Sequence, residues 1–317
     1  MAKVREKKVS VIGLGYVGLT LCKFFVDANY VVTGIDINES RVTAIDADIS
    51  PISDLTDLQI SAMRSKGFRV SSNYSAASDS EVLIIAVPTP IQEGNLPDLS
   101  HVVAAVTSIE QIMTGRPLII VESTVGPGTT RGLVRNLLEA NGKRAGRDFL
   151  LGFSPERIDP GSTKGLPQDT PKVVAGFDDK SLSSALQVYE EAGYKTVRAE
   201  SLEAAEASKL LENTYRAVNM SLINELALGF GKMGIDITEA IRLASTKPFG
   251  FQAFYPGIGV GGHCIPVDPW YLLSAIENGT LTNSLLRSAL ENNVRTPAGV
   301  AGQIDNLLRI REKNQTK

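Results

Sequence analysis

At 317 residues, 43% hydrophobic and 21% charged, the chain has the composition of an ordinary globular protein and not of a disordered or membrane one. Its length favours two domains, because single cores rarely grow past roughly 250 residues. A formal charge of −3 excludes a basic field for nucleic acid or an anionic membrane, so an anionic ligand has to be caught locally.

The basic start and the apolar run from Val9 to Leu21 imitate a signal peptide, but glycines interrupt the run and no small-residue cleavage site follows. The segment reads as a strand entering a helix. Further short apolar runs that suit buried parallel strands lie at 31–36, 81–87 and 118–122, with weaker ones at 149–153, 172–175 and 195–197. Helical patterns alternate with them, which predicts an α/β domain over residues 1–199 built on a doubly wound parallel sheet. From Ser201 the helical spacing of Leu202, Ala205, Leu210, Val218, Leu222 and Leu226 runs unbroken to Gly231, one helix on the order of 45 Å long. Glu203 and Glu206 favour its N-terminal dipole and Lys232 its C-terminal end. Helices at 237–244 and 269–293 complete a smaller all-α domain over 200–300. Residues 301–317 read as a polar C-terminal tail, frayed from Arg309. No stretch has the length and apolarity of a membrane span.

Gly13-Leu14-Gly15-Tyr16-Val17-Gly18 lies between a predicted strand and a predicted helix, the context a dinucleotide fingerprint needs. Gly13 makes the tight turn, Gly15 lets backbone approach a pyrophosphate, and Gly18 permits close helix packing. Asp36 ends the next strand, where a carboxylate accepts hydrogen bonds from ribose hydroxyls and repels a 2′-phosphate. With no arginine directly beside it, and Arg41 the nearest in sequence, the Rossmann-like domain is expected to take NAD. Val87-Pro88-Thr89-Pro90 and Ser123-Thr124-Val125-Gly126-Pro127-Gly128 each close a later strand, either at the ligand edge of the sheet or as ordinary Pro/Gly turns.

The most unusual segment is Gly257-Ile258-Gly259-Val260-Gly261-Gly262-His263-Cys264-Ile265-Pro266-Val267-Asp268. Its glycines let backbone crowd a ligand, and a thiol, an imidazole and a carboxylate follow at once, so Cys264 is read as a nucleophile. His263 either acts as a base, hydrogen-bonds substrate or caps the turn. Cys22 falls among Leu21, Phe24 and Phe25 and reads as core. Two cysteines are too few for a disulfide framework and suit a reducing, cytoplasmic compartment. No His, Cys and carboxylate group has metal-ligand spacing, so no metal is expected. On the long helix, Lys209 and Asn213 are four apart and share a face, either as a solvated polar stripe or as a buried functional one.

These segments together resemble the UDP-glucose/GDP-mannose dehydrogenase family. The resemblance runs from about Lys8 to about Pro297 through the glycine motif, Val-Pro-Thr-Pro, Glu-Ser-Thr-Val-Gly-Pro-Gly-Thr-Thr, Ser-Pro-Glu-Arg, Lys-Leu-Leu-Glu-Asn-Thr and Gly-Gly-His-Cys-Ile-Pro-Val-Asp-Pro. It implies oxidation of a sugar C6 alcohol to a carboxylate with two NAD, through a thiohemiacetal and a thioester on Cys264. By the same resemblance, Asp268 through water or Lys209 is the base, and Lys209 and Asn213 hold the oxyanion. Thr124, Glu156 and Asp268 organise the hydrolytic water. Gly13, Gly15, Tyr16, Val17, Gly18, Asp36, Arg41, Pro88, Thr89 and Thr124 hold NAD, while Glu156, Arg157, Lys209, Asn213, Gly261 and His263 hold the nucleotide sugar. The resemblance further implies a homodimer through the helix near 201–233.

Ser-Pro-Glu-Arg-Ile-Asp-Pro-Gly at 154–161, His263 before the cysteine and Pro269 after the aspartate resemble the N-acetylhexosamine branch, with UDP-N-acetylglucosamine ahead of UDP-N-acetylmannosamine. Family members continue into a further Rossmann-like domain of about a hundred residues, a usual domain size, where this chain stops. The expectation is that the cofactor site and the Cys264 constellation survive with weak affinity for the uridine half. Two other readings use the same residues: an NAD-binding fragment without turnover, and a dehydrogenase of similar architecture that needs no cysteine.

Overall fold

The computed structural model describes residues 7–157, 170–277 and 284–315. It divides into two compact units, Met1–Gln92 with Pro97–Lys209, and Glu93–Leu96 with Leu210–Lys317.

The first unit is built on β1 (Lys8–Ile12), β2 (Val31–Ile35), β3 (Arg69–Ser71), β4 (Val82–Ile85), β5 (Leu118–Val121), β6 (Leu150–Phe153), β7 (Lys172–Gly176) and β8 (Thr196–Arg198). Around them lie α1 (Tyr16–Asp27), α2 (Glu39–Asp46), α3 (Asp57–Ser65), α4 (Ser100–Ile112), α5 (Arg135–Leu138) and α6 (Asp179–Glu191). The strands form one sheet in the order β3-β2-β1-β4-β5-β6-β7-β8. Its core strands, such as Val-Leu-Ile-Ile in β4 and Leu-Ile-Ile-Val in β5, are buried along their whole length. Alternate residues serve opposite faces: Val82, Ile84, Leu118 and Ile120 join one apolar cluster with α1, and Leu83, Ile85, Ile119 and Val121 join another with α4. A two-residue period filled with β-branched and leucine side chains on both faces is what a sheet covered by helices on both sides requires.

Two features differ from the sequence reading. The short β3 pairs in parallel with β2, although three residues are too few for a readable period. In addition, β7 runs antiparallel to β6 while pairing in parallel with β8, so the sheet is mixed at that edge. This reversal carries the first residue of β7, Lys172, to the edge where β5 and β6 end. There its Nζ lies 2.9 Å from Glu122 Oε2, with both side chains almost fully buried. The Tyr189 hydroxyl donates to the other Glu122 oxygen, and the ammonium sits 4.8 Å from the Tyr189 ring centroid.

The second unit contains most of α7 (Leu202–Lys232) together with α8 (Ile237–Ala244), α9 (Asp268–Glu277) and α10 (Leu285–Gln315). The helix pattern read over 269–293 is thus two helices. The tail read as frayed from Arg309 is helical to Gln315, because Ala, Gln, Leu, Arg and Glu favour helix. The helix also continues through Pro297, at the cost of one backbone donor and of crowding against the preceding turn. Among the described residues, no helix is long and apolar enough to cross a membrane.

Burial pushes the Glu122 carboxyl up to about 7, reinforced by the nearby Glu156 charge and opposed by Lys172 and Tyr189. The folded state therefore holds this proton more tightly than the unfolded chain, so stability is greatest below the unfolded pKa and falls as pH rises from about 4.5 to about 7. Relative to Glu122→Gln, the wild type should lose on the order of 3 kcal/mol across that window, measured by urea unfolding at pH 4.5 and 8.

Candidate functional site

The loop after β1 is shaped by two close backbone approaches. Gly13 has φ +94°, and a Cβ there would stand 2.5 Å from the Ala86 carbonyl oxygen. A Cβ on Gly18 would stand 1.8 Å from the Gly13 carbonyl oxygen. Glycine is thus required at both positions by the protein's own packing. At Gly15, which caps α1 without a side chain, a Cβ would meet nothing within 4 Å. That open space lies at a helix N-terminus, where a pyrophosphate is favoured. Tyr16 is largely exposed and Val17 half-buried beside it.

Asp36 is 5% exposed. One carboxylate oxygen accepts from the Leu14 amide at 2.8 Å and the other from the Asn38 amide at 2.9 Å. The Arg41 guanidinium lies 2.8 Å from the first oxygen. The sequence reading that no arginine stands directly beside Asp36 is therefore corrected: Asn38 caps α2, and the first helical turn brings Arg41 back onto the carboxylate. A carboxylate has about four lone-pair sites, so one direction remains for a ribose hydroxyl. The residues present fit an NAD adenosine and pyrophosphate.

The β1–β4 pair is where the strand order reverses, and ligands of open α/β sheets bind outside such a point. The two strand-end motifs meet there, since the Ser123 hydroxyl donates to the Val87 carbonyl at 2.8 Å. Pro88 is exposed, and Thr89 and Thr124 are half-buried. Glu156 is buried after β6, and Arg157 donates to the Pro171 carbonyl at 2.8 Å. Residues 158–161 of the Ser-Pro-Glu-Arg-Ile-Asp-Pro-Gly motif lie outside the described residues.

Along α7, Glu206, Lys209, Asn213, Ser221 and Asn224 are all at least nine-tenths buried. Their spacing of three, four, eight and three places them on one stripe, while Leu211, Leu222 and Leu226 are exposed. Lys209 and Asn213 therefore belong to a buried polar stripe, not a solvated one. The Asn213 amide donates to Asp268 Oδ2 at 2.6 Å, which ties the helix to the buried carboxylate that opens α9. The Gly257 amide donates to Asn224 Oδ1 at 2.8 Å.

Cys264 is exposed, as are Gly261 and His263. The Cys264 carbonyl accepts from the Val267 and Asp268 amides, so the cysteine begins the turn that leads into α9. Upstream, Gly259 has φ +135°, and its Cα lies so close to the Pro297 ring that a Cβ would stand 2.9 Å from it. Cys22 is fully buried, and desolvation pushes its thiol far up, which makes it inert.

The Glu122, Lys172 and Tyr189 cluster and the Asn224 anchor are absent from the sequence reading. Glu122 was legible only as the residue before Ser123-Thr124. Its partners lie 50 and 67 residues away, beyond any local spacing rule.

Residues 7–193 match the UDP-glucose/GDP-mannose dehydrogenase family NAD binding domain, and residues 203–295 match the central domain of that family. The chain is 39% identical over 273 residues to UDP-N-acetyl-D-glucosamine 6-dehydrogenase of Pseudomonas aeruginosa, covering 85% of this chain and 63% of that protein. It is 36% identical over 298 residues to UDP-N-acetyl-D-mannosamine dehydrogenase of Pyrococcus horikoshii, covering 93% and 70%. The solved structure of UDP-D-ManNAc dehydrogenase from Pyrococcus horikoshii is similar with a TM-score of 0.88 at 35% identity, covering 96% of this chain and 72% of that one. The chain thus spans less than two thirds of the length of the Pseudomonas relative.

Replacing Gly18 by alanine should force α1 away from the glycine turn. NAD affinity measured by calorimetry is expected to fall at least ~100-fold, with destabilisation of ~2 kcal/mol or more from overpacking.

Proposed function

Because the chain belongs to the UDP-glucose/GDP-mannose dehydrogenase family, we propose that it oxidises the C6 alcohol of a UDP-N-acetylhexosamine to the carboxylate, with two NAD and with the aldehyde held on Cys264. The observation that carries this reading is the Cys264 turn, in which an exposed thiol stands four residues before a buried aspartate bonded to Asn213. The named activities of the relatives from Pseudomonas aeruginosa and Pyrococcus horikoshii support the substrate class. The form of the motifs around 154–161 and 263–269 puts UDP-N-acetylglucosamine first and UDP-N-acetylmannosamine second.

Bound NAD supplies the hydride acceptor for both oxidations, held by Gly13, Gly15, Tyr16, Val17, Gly18, Asp36, Arg41, Pro88, Thr89 and Thr124. Lys209, or Asp268 through a water, takes the C6 hydroxyl proton as the first hydride leaves. The Cys264 thiolate then adds to the aldehyde carbon to form a thiohemiacetal, and loss of the second hydride leaves a thioester. Lys209 and the second N–H of the Asn213 amide stabilise the oxyanion, the first N–H being engaged by Asp268. Water organised by Thr124, Glu156 and Asp268 cleaves the thioester to carboxylate and free thiol. Glu156, Arg157, Gly261 and His263 contribute to holding the nucleotide sugar.

The same reading includes a homodimer through α7. The exposed Leu211, Leu222 and Leu226 on that helix support it, because apolar groups gathered on a surface helix favour a partner. A cytoplasmic location is in keeping with a sequence that holds only two cysteines.

The test follows NADH formation with UDP-N-acetylglucosamine and with UDP-N-acetylmannosamine, counting NADH per sugar. Two NADH per sugar are expected, with a loss of roughly 10³-fold or more in Cys264→Ala, the scale of removing a covalent nucleophile. Full activity in that variant would point to a dehydrogenase without a cysteine nucleophile. No NADH from either sugar, with NAD binding intact, would leave a cofactor-binding module.

A further inference from the structure

Glu206 has no role in the chemistry just proposed, yet it is the most deeply buried carboxylate on α7, at 0% exposure. Both of its oxygens are engaged by backbone: the Gly128 amide donates to Oε2 at 2.6 Å and the Thr130 amide to Oε1 at 2.8 Å. Those amides open the helical segment that runs from Thr130 through a π turn into α5. The first amides of a helix have no partner within it and carry its positive end. Gly128 has φ +89°, a conformation that turns its amide toward the carboxylate at little cost only for glycine. The two amides form an anion-accepting pair, and the anion is a side chain of the protein itself. A cofactor pyrophosphate is therefore directed to the open helix end at Gly15, not to this one.

The consequence concerns the Ser123–Thr129 loop, which links β5 to that segment. Its near end is tied to the β4 motif through Ser123 and Val87, and its far end is tied to α7 through Glu206. Thr124 lies between the two ties and stays half-buried. Glu206 stands three residues before Lys209, on the same stripe of α7.

We infer that Glu206 is a positioning residue for the cofactor, pinning the Ser123–Thr129 loop to the first turns of α7 so that Thr124 is presented to NAD. The inference rests on the reading that this loop touches the cofactor, and it is independent of the cysteine chemistry. Desolvation raises the Glu206 carboxyl above the ordinary glutamate range, opposed by the Thr130 and Gly128 bonds. The neighbouring Glu203 charge raises it further; Lys209 stands one turn along the same helix, and Arg131 on the segment Glu206 caps is paired to Glu203 at 2.6 Å. Protonation replaces one acceptor by a donor facing an N–H, which opens the tie.

The experiment measures NAD affinity by calorimetry between pH 5 and 8.5 for the wild type, Glu206→Gln and Glu203→Gln, with thermal melts to confirm folding. The wild type should lose affinity on acidification through a pKa above the ordinary glutamate value. Glu206→Gln should bind about 10-fold more weakly at pH 8, the scale of one lost charge-assisted contact, and with a flat profile. Glu203→Gln, which loses only a half-exposed pair, should stay within about twofold of the wild type and keep its profile.

Wild-type affinity in Glu206→Gln, or a lower melting temperature with unchanged affinity and profile, would overturn the inference. If Glu206→Gln does not fold, hydrogen exchange in the wild type decides: the Gly128 and Thr130 amides should gain protection when NAD binds, and unchanged protection would overturn it. A wild type that bound no NAD would remove the cofactor reading and this inference with it. Loss of NADH formation in Cys264→Ala leaves it untouched.

Discussion

A polar group buried without a partner costs about 1–3 kcal/mol, and α7 buries five polar side chains along one stripe. That requirement organises much of what surrounds the helix. Glu206 is satisfied by the amides of Gly128 and Thr130, Asn213 by Asp268, Ser221 by Asn292, and Asn224 by Gly257. Three of these partners are loops or helix starts in the segments that carry the residues proposed for the chemistry: Thr124, Cys264 and Asp268 itself. A helix is stiff, and its rise of 1.5 Å per residue is fixed, so each loop meets it at a height set by sequence. The polar stripe thus serves as a set of anchor points within each unit, which explains why so apolar a helix gives up part of its buried face to groups that are costly to desolvate.

The sheet contributes the second constraint. Parallel strands deliver their C-terminal ends to one edge, and the loops that leave β1, β4, β5 and β6 gather there. A sheet made only of parallel strands would bring no strand start to that edge. The reversed β7 does so, and the residue it brings is a lysine. Removing one partner of a buried ion pair is far more costly than the pair is worth intact, so Lys172 and Glu122 add little net stability while strongly disfavouring any slip of β7 against β5. Their burial beside Tyr189 and close to Glu156 makes that edge rigid where hydrolysis is proposed to occur.

Close packing at the glycine turn is the most local of the constraints. The Gly13 carbonyl occupies the place a Cβ on Gly18 would need, so α1 can start only where it does, and its open N-terminus at Gly15 follows. Asp36 then closes the turn from the neighbouring strand through the Leu14 amide. The same carboxylate holds the loop and is the group proposed to meet the cofactor ribose, so recognition and loop geometry are not separable in that proposal.

The features legible from sequence were those whose physical demand is local. The glycine spacing, the β-branched strands with buried faces, the long helical period from Leu202 and the thiol set among glycines each follow from steric or periodic rules that act over a few residues. Periodicity reports which face of an element is buried, but not what it is buried against. Lys209 and Asn213 could therefore be placed on one face, while the choice between a solvated stripe and a buried one waited for the fold. The sequence suggested that Glu206 complements its own helix dipole; the tertiary structure gave it to another helix 76 residues away. Arg41 reached Asp36 only through the first turn of α2, and Lys172 reached Glu122 only through the reversal of β7. Strand direction and long-range pairing cost chain entropy that only the whole packed structure repays, so the sequence determined the elements and the residue chemistry, and the tertiary structure alone decided the partners.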